Sequence, residues 1–164
     1  MAALTPGAQA PGISLKDTNG ASTTLANQLK KGPVLAAFFK VSCPTCQFTF
    51  PFIERLYEQY GSKGFSFLAI SQDDVRDTRE FIDEFGIKFP VLIDDAGYPA
   101  SNQYGITNVP TLFLIGPDGK IQVSAVGFSK PDLEDIAGAA AQSTGAPRVS
   151  LFKVGEVVPD YKPG

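Results

Sequence analysis

Two cysteines separated by two residues are the part of this chain whose residue types and spacing suit chemistry. Cys43 and Cys46 are its only cysteines, with Pro44 and Thr45 between them. At the start of a helix, the first thiol faces unpaired backbone N–H groups and the positive helix end, which stabilise a thiolate. The thiolate is the nucleophile of disulfide exchange, and one helical turn brings a second thiol within reach of the mixed disulfide. The spacing therefore predicts a redox-active pair, with Cys43 as nucleophile and Cys46 as resolving residue.

A structural disulfide and a metal site are the two other interpretations of this pair. A disulfide that closes so short a loop removes little chain entropy and is a poor stabiliser. The chain has no histidine and no third cysteine, so a zinc site would have to be shared between two copies. The absence of histidine also excludes Ser-His-Asp and Cys-His catalysis. We therefore predict no metal and no cofactor other than the redox-active Cys43–Cys46 disulfide.

The composition limits the partners of the chain. Its 164 residues include 14 Lys and Arg against 17 Asp and Glu, which gives a net charge of −3. A mildly acidic chain without a basic stripe is not expected to bind nucleic acid or an anionic membrane surface. No apolar run approaches the roughly 18 residues of a membrane span. The first residues carry no export signal, which predicts a cytoplasmic location for the chain as given, and an extracytoplasmic one if a signal or anchor was trimmed.

The elements that must position the pair alternate between strand and helix. Val34–Phe39 is an unbroken apolar run, typical of a strand buried on both faces, and it ends just before Cys43. From Cys46 to Tyr60 the apolar residues recur every three or four positions, which predicts a helix that Pro51 kinks. Further strands are predicted at 65–70, 89–93, 111–115 and 120–127, further helices at 75–85, 98–104 and 129–142, and a hairpin at 13–25.

This order predicts an α/β domain with a mixed central sheet and helices on both faces. We expect residues 1–144 to form the domain, with residues 1–12 as a loose lead-in. Residues 145–164 are predicted to be an extended C-terminal tail that packs on the body or on a partner. The acidic pairs Asp73–Asp74 and Asp94–Asp95 are interpreted as a helix cap and a turn rather than a cation site.

Several further motifs resemble the thioredoxin-fold superfamily, and within it the TlpA/ResA-like thiol-disulfide oxidoreductases of the redoxin (AhpC/TSA-like) group. The similarity covers about residues 4–140 and is more specific than two cysteines alone. Its motifs are Pro33–Phe39 leading into Cys43–Cys46, Phe50-Pro51, Phe85–Val91, Tyr104–Thr111 and Phe113–Lys120.

The resemblance implies a thioredoxin-like three-layer α/β/α sandwich with an N-terminal β-hairpin and an inserted β-α unit at residues 74–94. It implies that Cys43 attacks and Cys46 resolves, and that Pro110 is a cis-proline facing the pair. Val109 would offer backbone hydrogen bonds to a substrate chain. The other residues expected to contact substrate are Ser42, Pro44 and Thr45. The implied partners are protein or low-molecular-weight thiols and disulfides and an upstream electron donor, with the chain a monomer or weak homodimer.

The chain departs from this family pattern at three positions. Ser42 replaces the usual Trp before the first cysteine, which predicts a flatter and more polar substrate surface. Ala37 and Thr49 stand where relatives carry an acidic group for proton transfer, so water or Lys40 is predicted to take that role. The charge of Lys40 would also favour the Cys43 thiolate, and Thr49 is the other candidate for tuning the ionisation of the pair. The alternative is that Lys40 is simply solvent-exposed at a strand end.

Two alternative functions share the same fold. A peroxiredoxin-like thiol peroxidase also has a Cys-Pro-Thr stretch, but Cys46 replaces the Glu that would follow it. Lys40 stands where peroxiredoxins carry Thr or Ser, and Val109-Pro110-Thr111 where they carry Arg. A non-catalytic interaction module would have no need of the two cysteines beside Val-Pro-Thr. We therefore predict a thiol-disulfide oxidoreductase.

Overall fold

Five strands in a central sheet and two two-stranded ladders organise the computed structural model, which describes residues 2–164. The elements are β1 (Ser14–Lys16), β2 (Ser22–Thr24), α1 (Leu25–Leu29), β3 (Val34–Phe39), α2 (Pro44–Tyr60), β4 (Ser66–Ser71), α3 (Val75–Phe85), β5 (Val91–Ile93), α4 (Pro99–Gln103), β6 (Thr111–Ile115), β7 (Ile121–Val126), β8 (Phe128–Ser129), α5 (Lys130–Thr144) and β9 (Tyr161–Lys162). The helix α2 continues through Pro51.

The central sheet has the order β5-β4-β3-β6-β7. The middle strand β3 is buried at all six residues. It runs parallel to β4 and antiparallel to β6. The predicted mixed sheet is confirmed. In the β3–β6 register, Phe38 lies opposite Thr111 and Val34 opposite Ile115. The residues that follow β3 and those that precede β6 therefore meet at one end of the sheet.

Hydrophobic clusters on both faces of the sheet make a three-layer sandwich. Neighbouring residues of β3 point to opposite faces. Phe39 packs against Phe50 of α2 and Phe81 of α3, with ring centroids 4.7 Å and 4.9 Å away. Phe38 packs on the other face against Tyr104, at 5.2 Å. The same cluster buries residues of the hairpin region, α1 and α4. The predicted thioredoxin-like sandwich is confirmed.

The lead-in differs from the prediction, because its backbone is bound to the edge of the sheet. The N–H of Gly7 donates to the carbonyl of Ile121 at 2.8 Å, and the N–H of Ile121 donates to the carbonyl of Ala8 at 2.9 Å. Leu4, Ala8 and Ala10 pack against the cluster around Phe38. An edge strand offers unpaired backbone groups, and β7 uses this stretch to satisfy them.

The tail, residues 145–164, packs on the helices of the body. Leu151 is buried, and the ring of Phe152 lies 5.1 Å from that of Phe52 in α2. The guanidinium of Arg55 forms a two-pronged ion pair with Glu156, at 2.8 Å and 2.7 Å. The ladder of β9 with β8 is a feature that the sequence analysis missed, since two-residue strands leave no periodic pattern.

Candidate active site

The two cysteines lie at the N-terminus of α2. Cys43 is the N-cap residue, and its Sγ accepts a hydrogen bond from the N–H of Cys46 at 3.1 Å. Pro44 occupies the first turn, where its missing N–H costs no hydrogen bond. Both cysteines are free thiols. Cys43 is half-buried whereas Cys46 has no exposed surface, so an incoming disulfide meets Cys43 first.

The environment of Cys46 favours its protonated form. Burial raises the pKa of the Cys46 thiol well above its ordinary range, and the hydrogen bond with the Cys43 thiol and the charge of Asp73 add to this. The backbone N–H of Lys40 acts in the opposite direction. Removing a thiolate from water is costly. Cys46 is therefore a thiol at neutral pH and must lose its proton before it can act as a nucleophile.

The loop before β6 completes the surroundings of Cys43. The Val109–Pro110 peptide bond is cis, and the Cys43 thiol donates a hydrogen bond to the carbonyl of Val109 at 3.4 Å. The N–H of Gly127 binds the carbonyl of Pro110 at 2.7 Å. These contacts hold the Val109 carbonyl beside the sulfur. The structure thus brings together four of the predicted residues: Cys43, Cys46, Val109 and Pro110.

An open groove of about 430 Å³ leads to Cys43. Its lining comes from the loops after β3 and β4, the loop before β6, and the tail: Lys40, Cys43, Pro44, Gln72, Ile106, Thr107, Asn108, Val109 and Gly164. Ser42, Pro44 and Lys40 are exposed on the approach to the thiol. Lys40 gives the groove a positive charge at the end of β3.

The two threonines of the predicted site have partners of their own. The buried Thr49 donates its hydroxyl hydrogen to the carbonyl of Thr45, one helical turn earlier, at 2.7 Å. Thr45 is also buried, and its hydroxyl donates to the carbonyl of Pro163 at 2.7 Å. The residue between Pro44 and Cys46 is therefore covered by the tail.

Asp73 belongs to the site although the sequence analysis assigned it to a helix cap. Asp74 alone caps α3, accepting the N–H of Asp77 at 2.9 Å. The Asp73 carboxylate accepts the N–H of Val41 at 2.8 Å, and the side chain of Gln47 binds the carbonyl of Val41 at 2.9 Å. The loop that carries Cys43 is thereby pinned from both sides. The sequence could have indicated this second role, because a helix needs only one of two adjacent aspartates as its N-cap.

Residues 2–164 offer neither a grouped set of metal ligands nor a membrane-spanning helix. No three Cys, Asp or Glu side chains of this part of the chain are grouped closely enough to hold a metal ion. No helix within the same residues is both long and apolar enough to cross a lipid bilayer.

Comparison with known proteins adds three findings. The AhpC/TSA family model matches residues 6–124. The thiol-disulfide oxidoreductase ResA of Bacillus anthracis is 33% identical over 122 residues, which cover 74% of this chain and 69% of that protein. ResA of Halalkalibacterium halodurans is 33% identical over 132 residues, covering 79% and 74%.

A solved structure extends the similarity to three dimensions. The thioredoxin domain of a thiol-disulfide oxidoreductase from Bacteroides vulgatus superposes with a TM-score of 0.73 at 27% sequence identity. The superposition covers 83% of this chain and 97% of that domain. The pair, the loop before β6 and the strands β3 to β6 lie within the matched family region.

Proposed function

This chain belongs to the AhpC/TSA family, and from that premise we propose that Cys43 and Cys46 carry out its chemistry. The protein is a thiol-disulfide oxidoreductase of the thioredoxin type, as its similarity to the ResA proteins indicates. One observation carries the assignment of the residues. The Sγ of Cys43 accepts the N–H of Cys46 at a helix N-terminus and lies 3.4 Å from the Val109 carbonyl.

The reaction proceeds in two exchange steps. The Cys43 thiolate attacks one sulfur of a substrate disulfide, the substrate S–S bond breaks, and one substrate thiolate leaves and takes up a proton. Cys46 then loses its proton and attacks the Cys43 sulfur of the mixed disulfide. A Cys43–Cys46 disulfide forms, and the second substrate thiol is released. The substrate gains two electrons, the pair loses two, and an upstream dithiol donor returns them.

The residues around Cys43 are assigned to substrate contact. The short distance between the Val109 carbonyl and the reacting sulfur supports the assignment of the Val109 main-chain groups to an extended substrate backbone. Ser42 and Pro44 are exposed on either side of Cys43. Their small side chains leave this side of the approach to Cys43 open. Thr45 contributes only when the tail that covers it moves away.

A titration in glutathione redox buffers tests the pair. The wild-type chain, Cys43→Ser and Cys46→Ser are equilibrated at a series of potentials, alkylated and weighed intact. We expect a single two-electron transition in the wild type that both variants lose. Cys46→Ser should accumulate a mixed disulfide with glutathione, since its nucleophile is intact and nothing resolves the adduct. Cys43→Ser should not, because Cys46 is buried and protonated.

The opposite result is equally clear. Two thiols that oxidise independently, or a Cys46→Ser variant that forms no mixed disulfide, would contradict the assignment. Treatment of the reduced protein with hydrogen peroxide tests the peroxidase alternative. A peroxidase would convert Cys43 rapidly to sulfenic or sulfinic acid, whereas the proposed exchange needs no peroxide.

A further inference from the structure

The end of the tail lies across the place where a substrate chain would bind. Residues 160–164, here called the 160–164 segment, begin with a short ladder in which Tyr161 lies opposite Ser129 and Lys162 opposite Phe128. The carbonyl of Asp160 accepts the N–H of Lys130 at 2.8 Å. An antiparallel pairing of this kind fixes the direction of the segment toward Cys43.

Beyond the ladder, the segment contacts the motif of the two cysteines. The carbonyl of Pro163 accepts the hydroxyl of the buried Thr45 at 2.7 Å. The ammonium group of Lys162 lies 5.1 Å from the ring centroid of Phe48, in the first turns of α2. The segment is therefore bonded to the element that carries both thiols.

The last contact is with the backbone of Val109. A methyl group added to Gly164 would overlap the Val109 carbonyl oxygen and lie 2.7 Å from its carbonyl carbon. That same carbonyl accepts the Cys43 thiol hydrogen. Only a residue without a side chain fits so close to a main-chain group. Gly164 thus occupies the backbone edge that the proposed function assigns to the substrate.

The 160–164 segment is held more weakly than the tail that precedes it. Its side chains are exposed. Its contacts are the short ladder with the neighbouring Asp160–Lys130 hydrogen bond, the hydroxyl bond of Thr45, the Lys162 ammonium group near the Phe48 ring, and the approach of Gly164 to Val109. Residues 151–156 are anchored by the buried Leu151 and the Arg55–Glu156 pair. Between them, Val157 and Pro159 are exposed. Segments with little buried apolar surface open at low cost, so the segment can leave while its anchor stays.

We propose that the 160–164 segment determines substrate class: in its docked position the pair reacts with low-molecular-weight disulfides, and protein disulfides react only after the segment leaves. The inference rests on the proposed function. The groove that remains beside Cys43 measures about 430 Å³, within the range of small-molecule sites. An extended polypeptide needs the Val109 edge, which Gly164 covers. With either substrate class, the Cys43–Cys46 dithiol gives two electrons to the substrate disulfide in the same two exchange steps.

The test compares two disulfide probes under single-turnover conditions, with the reduced protein in excess. Formation of the Cys43–Cys46 disulfide is measured by quenching samples over time and determining their intact mass. The small probe is 2-hydroxyethyl disulfide and the protein probe is insulin. Deletion of residues 160–164 should raise the insulin rate about tenfold if the docked state is populated about nine-tenths of the time. The 2-hydroxyethyl disulfide rate should change less than about twofold, because the groove already admits it.

A point substitution gives the same test without shortening the chain. Gly164→Ala should displace the segment from Val109 and raise the insulin rate in the same direction. Gly12→Ala is the matched control, since a methyl group there meets no atom within 4 Å. A synthetic peptide spanning residues 155–164, added to the deletion variant, should lower the insulin rate again, and a scrambled peptide should not.

Three results would overturn the inference: an insulin rate unchanged by both variants, both probes accelerated equally, or an insulin rate that falls on deletion. The last would make the segment part of the binding site for protein substrates. Failure of the proposed function looks different. In that case the reduced wild type reduces the disulfide of neither probe through a mixed disulfide at Cys43, whatever the state of the segment.

Discussion

Two adjacent carboxylates, Asp73 and Asp74, lie between β4 and α3 and have different partners. The first binds the amide of Val41 and the second caps α3. The sequence placed both cysteines and the loop before β6, because each belongs to a local pattern. It did not separate the two aspartates, since the difference depends on a contact 32 residues away. The loop with Cys43 and the loop with Asp73 meet only because β3 and β4 are parallel neighbours.

We predict that Asp73→Asn accelerates the resolving step. Burial is the main cause of the raised pKa of Cys46, but the Asp73 charge adds to it, so removing that charge lowers the pKa. Each unit by which the Cys46 pKa falls raises the thiolate fraction tenfold but makes that thiolate a weaker nucleophile. The net result is a resolving step about threefold faster. The rate is measured as decay of a preformed Cys43 mixed disulfide at pH 7.

Asp74→Asn is the matched control for this prediction. It leaves the charge of Asp73 in place, and Asn is itself a good N-cap, so neither the rate nor the stability should change appreciably. A slower resolving step in Asp73→Asn would contradict the electrostatic argument. It would indicate that the Asp73 carboxylate accepts the Cys46 proton.

At the scale of elements, the periodic strands and helices, the hairpin of β1 and β2 and the short α4 were predicted within a few residues, while the ladder of β8 with β9 and the cap of α4 were not. The pair Asp94–Asp95 was interpreted as a turn. In the structure, Asp94 is buried and accepts hydrogen bonds from the N–H of Ala100 and from the N–H and hydroxyl of Ser101, at 2.7–3.0 Å. The carboxylate thus accepts hydrogen bonds from the free N–H groups in the first turn of α4, whose N-cap residue Tyr98 makes no side-chain hydrogen bond.

We predict that Asp94→Ala lowers the free energy of unfolding by about 2 kcal/mol, because buried N–H groups would lose their acceptor. Asp95→Ala is the control, since Asp95 is exposed and its substitution should change stability by less than about 0.5 kcal/mol. Urea denaturation followed by circular dichroism measures both. Equal stabilities of the two variants would show that α4 does not depend on this cap.

The anchor of the tail predicts a pH dependence. The Arg55 guanidinium, with the N–H of Lys153, lowers the pKa of Glu156 from its ordinary 4.5 to about 2. A carboxyl group with a lowered folded-state pKa stabilises the fold above the unfolded value and loses that contribution as pH falls through the folded one. The anchor should therefore weaken between about pH 4.5 and pH 2 and be intact at neutral pH.

Carbon-detected NMR of the Glu156 carboxylate measures this directly. We expect a midpoint near 2 in the wild type and a higher one in Arg55→Met, which removes the guanidinium group that pairs with Glu156 and leaves the N–H of Lys153. A Glu156 midpoint near 4.5 in the wild type would contradict the two-pronged ion pair.

At the scale of the whole molecule, the sheet divides the core into two clusters. Phe38 and Phe113 meet edge to face on one side, with centroids 5.8 Å apart, and Phe50 lies in the cluster on the other side. The alternation of adjacent residues in β3 dictates this division, which is why the layered fold followed from the sequence. The course of the tail did not follow, because its apolar residues Val149, Leu151 and Val154 keep no single period and only Leu151 of the three is buried.

We predict that stability effects couple within a cluster and add across the sheet. In double-mutant cycles of Phe→Leu substitutions, Phe38 and Phe113 should show a coupling energy of about 0.5 kcal/mol or more, because their rings are in contact. Phe50 and Phe113 should be additive within about 0.5 kcal/mol. Chemical denaturation of the single and double variants supplies the values. Equal coupling in both cycles would mean that the sheet transmits packing changes between its faces.

The antiparallel register of β3 and β6 has a practical consequence for electrochemistry. Ile115 lies opposite Val34, at the end of the sheet remote from the cysteines, and the exposed Lys120 follows it after a tight turn. A linker joined at Gly164 would start inside the groove that leads to Cys43. Immobilisation through the turn at Lys120 orients the thiols toward the solution, whereas coupling at Gly164 orients them toward the electrode.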